Sequence, residues 1–350
     1  MLGYHFALIK TKIVQNNFSG GHECQISEGG TEADLHKHLK DCQKNPGHRQ
    51  FIPIKSFNIQ HLPEDHRDTD LYDLINAVAE LTVRVSVVMI SPNRPEFFLN
   101  TNSPYPFYGM GGNANTRSGS GVITIYKYEC GCGHNVQGKR QNPVTERIYE
   151  REYKSCPCEQ CQHSDKPSNV WWEIYVGTAA HVVFDDIEAR HTTCRLFYDE
   201  RTSPLVRLDK FTLDYVDVER DRCRLMSVVC DSSLGDRLFQ TAVHRDTLRQ
   251  KLDAKYKNRD NGTFSFIVSH PHGCPKQVSI GQYKENYIVG DYNKEYKFTK
   301  LSYTTSTCPG SSGASVCCLG LNNLHVHGGS LDKALNHSTI DWSTVSEQCS

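Results

Sequence analysis

Past Arg117 the sequence is a succession of short β-patterned runs separated by turn residues, and this pattern restricts most of the chain to a β core. Gly121–Tyr126, Trp171–Val183, Thr192–Tyr198, Phe211–Val218, Arg224–Val229, Phe264–Val268 and Tyr287–Val289 read as strands. Val316–Leu319 and Leu324–His327 follow them. Many short strands with turn signals between them point to barrels rather than βαβ units. Upstream, Thr82–Val87 alternates apolar and polar residues and reads as a half-buried strand. Leu71, Leu74, Ile75 and Val78 recur at helical spacing, which predicts a helix over Asp70–Glu80 with Asp68 or Thr69 as its cap. Pro92 to Pro106 carries four prolines and reads as an ordered loop. Residues 1–66 are polar and rich in Gly and His, and are expected to be a loosely ordered extension with a short helix at Asp34–Lys40.

Two segments carry chemistry. Cys308-Pro309-Gly310-Ser311-Ser312-Gly313-Ala314 places a serine among small residues that let the backbone turn sharply. Such a turn can aim the N–H groups of Gly310 and Ser312 at one point, where an oxyanion would sit. Gly177-Thr178-Ala179-Ala180-His181 follows an apolar strand, so a rigid element can position the imidazole. A serine hydroxyl needs an imidazole to take its proton, and that imidazole needs a carboxylate to hold its tautomer. Asp221 opens the apolar run Cys223–Met226 and is the favoured carboxylate, with Asp214 and Asp217 as competitors. Ser312, between Gly310 and Gly313, is preferred to its neighbour Ser311 as the nucleophile.

These segments resemble the motifs of trypsin-like serine peptidases, roughly Thr-Ala-Ala-His and Gly-Asp-Ser-Gly-Gly. The order His181, Asp221, Ser312 is that of chymotrypsin. The resemblance spans roughly residues 119–330. It implies a mainly β fold, a chymotrypsin-like double six-stranded β-barrel, with a helical N-terminal extension over residues 1–66. A peptidase domain would fill 67–350, its first barrel at about 82–235 and its second at about 236–340. It further implies a serine endopeptidase with catalytic His181, Asp221 and Ser312, acting on protein or peptide substrates without a catalytic cofactor.

The family usually has Asp where Ser311 stands, and in secreted zymogens that Asp pairs with a freed N-terminus. A neutral serine cannot hold an ammonium in this way, so the oxyanion loop must be set by other contacts. In this respect the chain is similar to glutamyl endopeptidases and intracellular relatives. The resemblance places the pocket base at Ser306 and Thr307 and its wall along Leu324–Gly329, including His325, His327 and Gly328. Small uncharged residues at the base give no support to a preference for Lys or Arg. An imidazole can donate to an acidic or amide side chain, so cleavage after Glu or Gln is expected, with His327 or His325 as the reader.

The chain has 15 cysteines, a high and odd count. Cys130 and Cys132, with His134 nearby, are followed by Cys156, Cys158 and Cys161. Closely spaced thiolates favour tetrahedral zinc. The preferred set is Cys130, Cys132, Cys158 and Cys161, with Cys156 and His134 in reserve and disulfides as the competing reading. Such a zinc knuckle, inserted over about 129–165, would be structural because four protein ligands close the coordination sphere. Cys24, His36, His38 and Cys42 fit no trusted metal spacing, and His270 and His272 read as turn or pocket-rim residues.

Charge is balanced at 39 basic against 40 acidic residues, which implies no general attraction to nucleic acid or membrane. No apolar run is long enough to span a bilayer. Met1–Lys10 lacks the features of a signal peptide, so a cytoplasmic chain with reduced thiols is expected. Three glycosylation patterns, at Asn17, Asn261 and Asn336, would then be chance matches. The rival from another class is a catalytically inactive, zinc-stabilised binding module of the same fold, which would fail to react with a fluorophosphonate. A zinc-dependent hydrolase has no supporting motif, since no His-Glu-x-x-His occurs.

Overall fold

The computed structural model describes residues 21–27, 32–99, 101–112, 115–141, 148–257, 263–293, 296–321, 325–331 and 334–344. The opening Met1–Lys10, the sites at Asn17 and Asn261, and Leu324 lie outside them. The fold is mainly β, made of two antiparallel sheets as expected for a two-barrel chain.

The strands in chain order are β1 (Gly21–His22), β2 (Gln25–Ser27), β3 (Phe51–Pro53), β4 (Thr82–Val87), β5 (Thr116–Glu129) and β6 (Cys132–His134). There follow β7 (Val170–Thr178), β8 (Thr192–Leu196), β9 (Val206–Leu208), β10 (Thr212–Asp217), β11 (Arg222–Val229) and β12 (Phe264–Ser269). The last are β13 (Gln277–Asp291), β14 (Tyr296–Tyr303), β15 (Val316–Cys318), β16 (His327–Ser330), β17 (Asn336–Ser338) and β18 (Asp341–Thr344). The helices are α1 (Glu32–Lys40), α2 (Thr69–Glu80), α3 (Glu159–Gln162), α4 (Asp186–Arg190) and α5 (Ser232–Tyr256).

The first sheet runs β10-β11-β7-β5-β4-β8-β9, with β2 and β6 also on β5. The second runs β1-β16-β17-β14-β13-β12-β15, with β18 on β14 and β3 on β13. Each sheet therefore holds nine described strands rather than six. Half of the surplus comes from short pieces of the extension, β1, β2 and β3, which pair with strands of the two sheets. The expectation that this extension is loosely ordered is thus corrected for its described part. A polar segment too poor in apolar residues to build its own core is ordered here by backbone pairing to sheets that have one.

Inward-facing Val83, Val85, Ile123, Ile174, Val176 and Leu225 fill the first sheet's core. The alternation in β4 is visible in its burial: Val83, Val85 and Val87 are buried while Arg84 and Ser86 are partly exposed. Helix α2 is capped by the Asp68 side chain, which accepts from Asp70 N at 2.8 Å. Its Leu71, Leu74, Ile75 and Val78 pack with Leu248, Leu252 and Tyr256 of α5 and with Phe266 of β12. That 25-residue helix, between the two sheets in sequence, was not anticipated. No described helix is long and apolar enough to cross a membrane.

Candidate active site

His181 follows β7 in a tight turn in which Val182 and Val183 both donate to Ala179 O. Its ring Nδ1 lies 2.8 Å from Asp221 Oδ2 and 3.0 Å from Oδ1. Its backbone N–H also donates to Asp221 Oδ1 at 2.9 Å. Asp221 takes a left-handed conformation (φ 57°) at the turn into β11, an unusual geometry for a residue with a side chain. Burial works against its charge, but the charge and hydrogen bond of His181 outweigh this and hold the carboxyl at about 2. Asp214 and Asp217 are occupied elsewhere, by Arg224 at 2.6 Å and Arg220 at 2.5 Å.

A buried ion cluster holds the backbone at His181. Arg94 and Arg117 each lie 2.8 Å from Glu188 of α4, and Arg94 donates to His181 O at 3.1 Å. Sequence spacing gave no sign of this cluster, because its members come from a loop, a strand and a helix.

The loop bearing Ser312 is shaped by glycine. Gly310 (φ 95°) and Gly313 (φ 89°) occupy the left-handed region. A Cβ on Gly313 would stand 2.1 Å from Ser120 O and 2.2 Å from Thr178 Oγ1. Ser120 of β5 fastens the loop to the first sheet, its N–H donating to Ser312 O at 2.8 Å and its Oγ to Gly310 O at 2.9 Å. Ser311 is buried, 3.0 Å from Ser269 Oγ and accepting from Cys308 N at 3.2 Å, so its hydroxyl is taken up within the second sheet and its own loop.

Residues 21–27 run between the two sheets, and the space they fill between β16 and β5 is the candidate substrate groove. β1 pairs antiparallel with β16, His22 facing Gly329 and Gly21 facing Ser330. On the other side, β2 pairs with β5 over Gln25–Ser27. Between the two, the Glu23 carbonyl oxygen accepts from Gly310 N at 3.0 Å and from Ser312 Oγ at 2.9 Å. The His22 ring stacks on His181 with centroids 4.4 Å apart. Burial and the charge of His181 lower the His22 pKa to about 3, so this ring is neutral. The consecutive residues His22 and Glu23 therefore touch the imidazole and the hydroxyl respectively. His181 Nε2 is buried with no hydrogen-bond partner among the described residues, and the Ser312 hydroxyl faces the Glu23 and Gly328 carbonyl oxygens rather than that nitrogen.

The Glu23 carboxylate enters a pocket of four donors. His327 Nε2 and Thr307 Oγ1 each lie 2.8 Å from Oε2, Ser330 Oγ lies 2.6 Å from Oε1, and Lys44 Nζ binds Oε1 as an ion pair. Burial opposes the carboxylate charge, but His327 and Lys44 outweigh it and keep the group far below the ordinary range. Tyr303 Oη, 2.7 Å from His327 Nδ1, fixes that ring. The other pocket residues expected from sequence fall outside. His325 Nε2 faces Thr299, 3.0 Å from Oγ1 and 2.9 Å from the carbonyl oxygen. Ser306 Oγ binds Gln50. Alternation would put His325 and His327 on one face, yet their rings meet different neighbours, Thr299 for His325 and Glu23 and Tyr303 for His327. Gly328 contributes a carbonyl 3.4 Å from Ser312 Oγ. Lys44 and Ser330 were not foreseen.

Among the described residues, three Cys/His/Asp groups could hold a metal ion. Cys156, Cys158, Cys161 and Cys230 converge, all ligand atoms within 4.8 Å of one another, with Cys158 and Cys230 sulfurs 3.5 Å apart. A zinc tetrahedron of thiolates has sulfurs about 3.8 Å apart, so four sulfurs with no carboxylate fit that ion. Cys158 and Cys161 are thus joined by Cys156 and Cys230, not by Cys130 and Cys132. Cys130 is exposed at the left-handed turn (φ 49°) between β5 and β6, which points its thiol outward. Cys42, His48, His272 and Cys308 form a second group. In contrast Cys24 Sγ faces Ser118 O at 3.8 Å and His36 meets Cys274, so neither joins Cys42. The third group is His22, His181 and Asp221; imidazole lone pairs lie in the ring plane, and two stacked rings do not aim them at one ion. The described cysteines are free thiols, and Asn336, the described glycosylation asparagine, is buried with its amide on Thr305 O at 2.8 Å.

No protein-family model matches this sequence, and no curated protein matches it. Among solved structures, the Rv3671c protease from M. tuberculosis in its active form is similar at 12% identity and a TM-score of 0.37, over 76% of this chain and 78% of that one. The HtrA-type protease AlgW with a decapeptide is similar at 13% identity and a TM-score of 0.36, over 76% of this chain and 62% of that one.

Proposed function

We propose that the chain is a serine endopeptidase that cleaves on the C-terminal side of glutamate. The observation that carries this reading is the shared carbonyl: Ser312 Oγ and Gly310 N–H both reach the carbonyl oxygen of a glutamate whose side chain fills a carboxylate pocket. Asp221 holds the His181 Nδ1–H, which leaves Nε2 to take the Ser312 proton. The hydroxyl oxygen then attacks the carbonyl carbon, and the Gly310 N–H stabilises the negative oxygen. His181 returns the proton to the leaving amine, and water resolves the ester by the same route in reverse. The substrate backbone would add to β16 as an extended strand.

Lys44 and three neutral donors favour a charged carboxylate over an amide, so Glu should be preferred to Gln. No cofactor enters the chemistry. A structural zinc on Cys156, Cys158, Cys161 and Cys230 would close the excursion between β5 and β7. Free thiols suit a reducing, cytoplasmic setting.

Matched fluorogenic peptides differing only in Glu, Gln, Lys or Phe before the scissile bond test the reading. Hydrolysis should be fastest after Glu and should vanish in Ser312→Ala. Preferential cleavage after Lys or Phe, or an undiminished rate in Ser312→Ala, would reject it.

A further inference from the structure

We infer that the Glu23–Cys24 peptide bond is a substrate of the chain's own Ser312, and that the protein cuts itself there. The inference rests on the serine-peptidase reading above and names a particular substrate for it. Four observations converge on this one bond. The Glu23 side chain fills the acidic pocket, its charge met by Lys44 and its oxygens by His327, Thr307 and Ser330. Its carbonyl oxygen sits on the Gly310 N–H and the Ser312 hydroxyl. The preceding residues pair with β16 and the following ones with β5, so the chain is held extended on both sides of the bond. The preceding side chain, His22, covers the His181 ring.

The reaction balances without any further reagent than water. Ser312 Oγ bonds to the Glu23 carbonyl carbon as its proton passes to His181 Nε2. The C–N bond to Cys24 breaks, and the proton moves to the departing nitrogen, which becomes a new amino terminus at Cys24. Water then adds to the ester carbon, giving its proton to His181. The Ser312–carbon bond breaks and Ser312 regains a proton, leaving a carboxylate at Glu23.

The purified full-length chain, followed by intact mass, should convert to a species beginning at Cys24 plus the fragment ending at Glu23. The rate should be independent of protein concentration, as an intramolecular step requires. Ser312→Ala should remain whole. Glu23→Ala should slow the cut on the order of ten-thousandfold, since the polar pocket is then left unmatched. Hydrolysis of an added Glu peptide should rise as the cut proceeds, because uncleaved chain fills its own groove. Wild-type protein that hydrolyses the Glu peptide yet stays whole at Glu23–Cys24 overturns the inference and spares the peptidase reading. Protein that does neither overturns both.

A second inference stands on separate observations: the geometry points to a zinc site formed by Cys42, His48, His272 and Cys308. The two sulfurs are 3.6 Å apart, and Cys308 Sγ is 3.4 Å from His48 Nε2. His272 Nδ1 is fixed at 2.7 Å from Gln25 Oε1, while its Nε2 is buried without a partner among the described residues. An imidazole held at one nitrogen and open at the other is the usual arrangement of a zinc ligand. Such an ion would tie the extension to the loop that bears Ser312. Metal analysis should give two zinc ions per chain, falling to one in His48→Ala and restored in His48→Cys. Cobalt substitution should show a mixed sulfur–nitrogen tetrahedral spectrum that Cys42→Ser removes. One zinc per chain, lost in Cys158→Ser and unmoved by Cys42→Ser, would overturn the site.

Discussion

Replacing Asp221 by Asn tests the arrangement of the groove more sharply than removing the nucleophile does. Asp221 Oδ1 accepts from the His181 backbone N–H at 2.9 Å, and Oδ2 accepts from Nδ1 at 2.8 Å. An asparagine can keep its carbonyl oxygen on the backbone N–H and so preserve the turn. Its amide nitrogen then faces Nδ1, and two N–H groups cannot point at each other. The imidazole must flip its tautomer, with Nδ1 accepting and Nε2 carrying the proton. A protonated, neutral Nε2 cannot take the Ser312 proton. The same exchange in a working triad lowers kcat about ten-thousandfold, which at 1.36 kcal/mol per decade is about 5 kcal/mol of barrier. Removing Ser312 should cost more, on the order of a millionfold. The assay is steady-state hydrolysis of a Glu peptide, with the unfolding midpoint measured alongside to show that the fold is intact. A loss of less than about tenfold in a folded Asp221→Asn protein would refute the assigned role of Asp221.

Gly313→Ala should destabilise the chain by about 2–5 kcal/mol, the sum of a left-handed backbone and an overpacked contact, since its Cβ would stand 2.1 Å from Ser120 O; a urea midpoint within error of wild type would contradict this. The Asp221 carboxyl, depressed from 3.8 to about 2 in the folded state, contributes stability that is fully present above 3.8. That contribution, about 2 kcal/mol, is lost as pH falls through about 2. Denaturant titrations in that window should show a loss about 2 kcal/mol larger in wild type than in Asp221→Asn, where Glu23 still contributes its own share; equal losses in both would oppose the assignment.

Sequence reading succeeded where the physical signal was local. The alternation of Thr82–Val87 fixed a strand whose ends match those observed, because one face must be buried and the other not. Of the two residues offered as the cap, Asp68 and Thr69, Asp68 serves as one. The pairing of His181 with Asp221 was legible only through the resemblance, since nothing in residues 214–221 alone separates three aspartates. The 25-residue helix α5 was missed although Leu238, Ala242, Leu248, Leu252 and Tyr256 carry a helical stripe after an Asp231 cap. Charged residues on its other face dilute the run, and the strand pattern on either side drew the reading away. Cys230 and Cys308 were missed as candidate ligands for a different reason. Spacing rules see only pairs a few residues apart, and these thiols meet theirs across 72 and 266 residues. Glu23 was invisible altogether, because a glutamate in a polar stretch carries no mark of the pocket that receives it 289 residues away from Ser312.

The replacement of the usual Asp by Ser311 now has a structural counterpart. In this chain the Ser312 loop is not organised by a buried ammonium–carboxylate pair at that position. Neutral contacts do the work: Ser120 bridges Gly310 and Ser312, Ser269 meets Ser311, and His272 N donates to Pro309 O at 2.5 Å. The charge that enters this region is instead the Glu23–Lys44 pair, and both partners belong to the extension. An ion pair made by the polypeptide that would be cut is expendable in a way that a permanent activating pair is not. Once the bond after Glu23 is broken and the fragment leaves, Lys44 remains beside His327, Thr307 and Ser330 to meet the next carboxylate. The extension thus supplies, in one stretch of chain, a piece of the specificity pocket and the first molecule to occupy it.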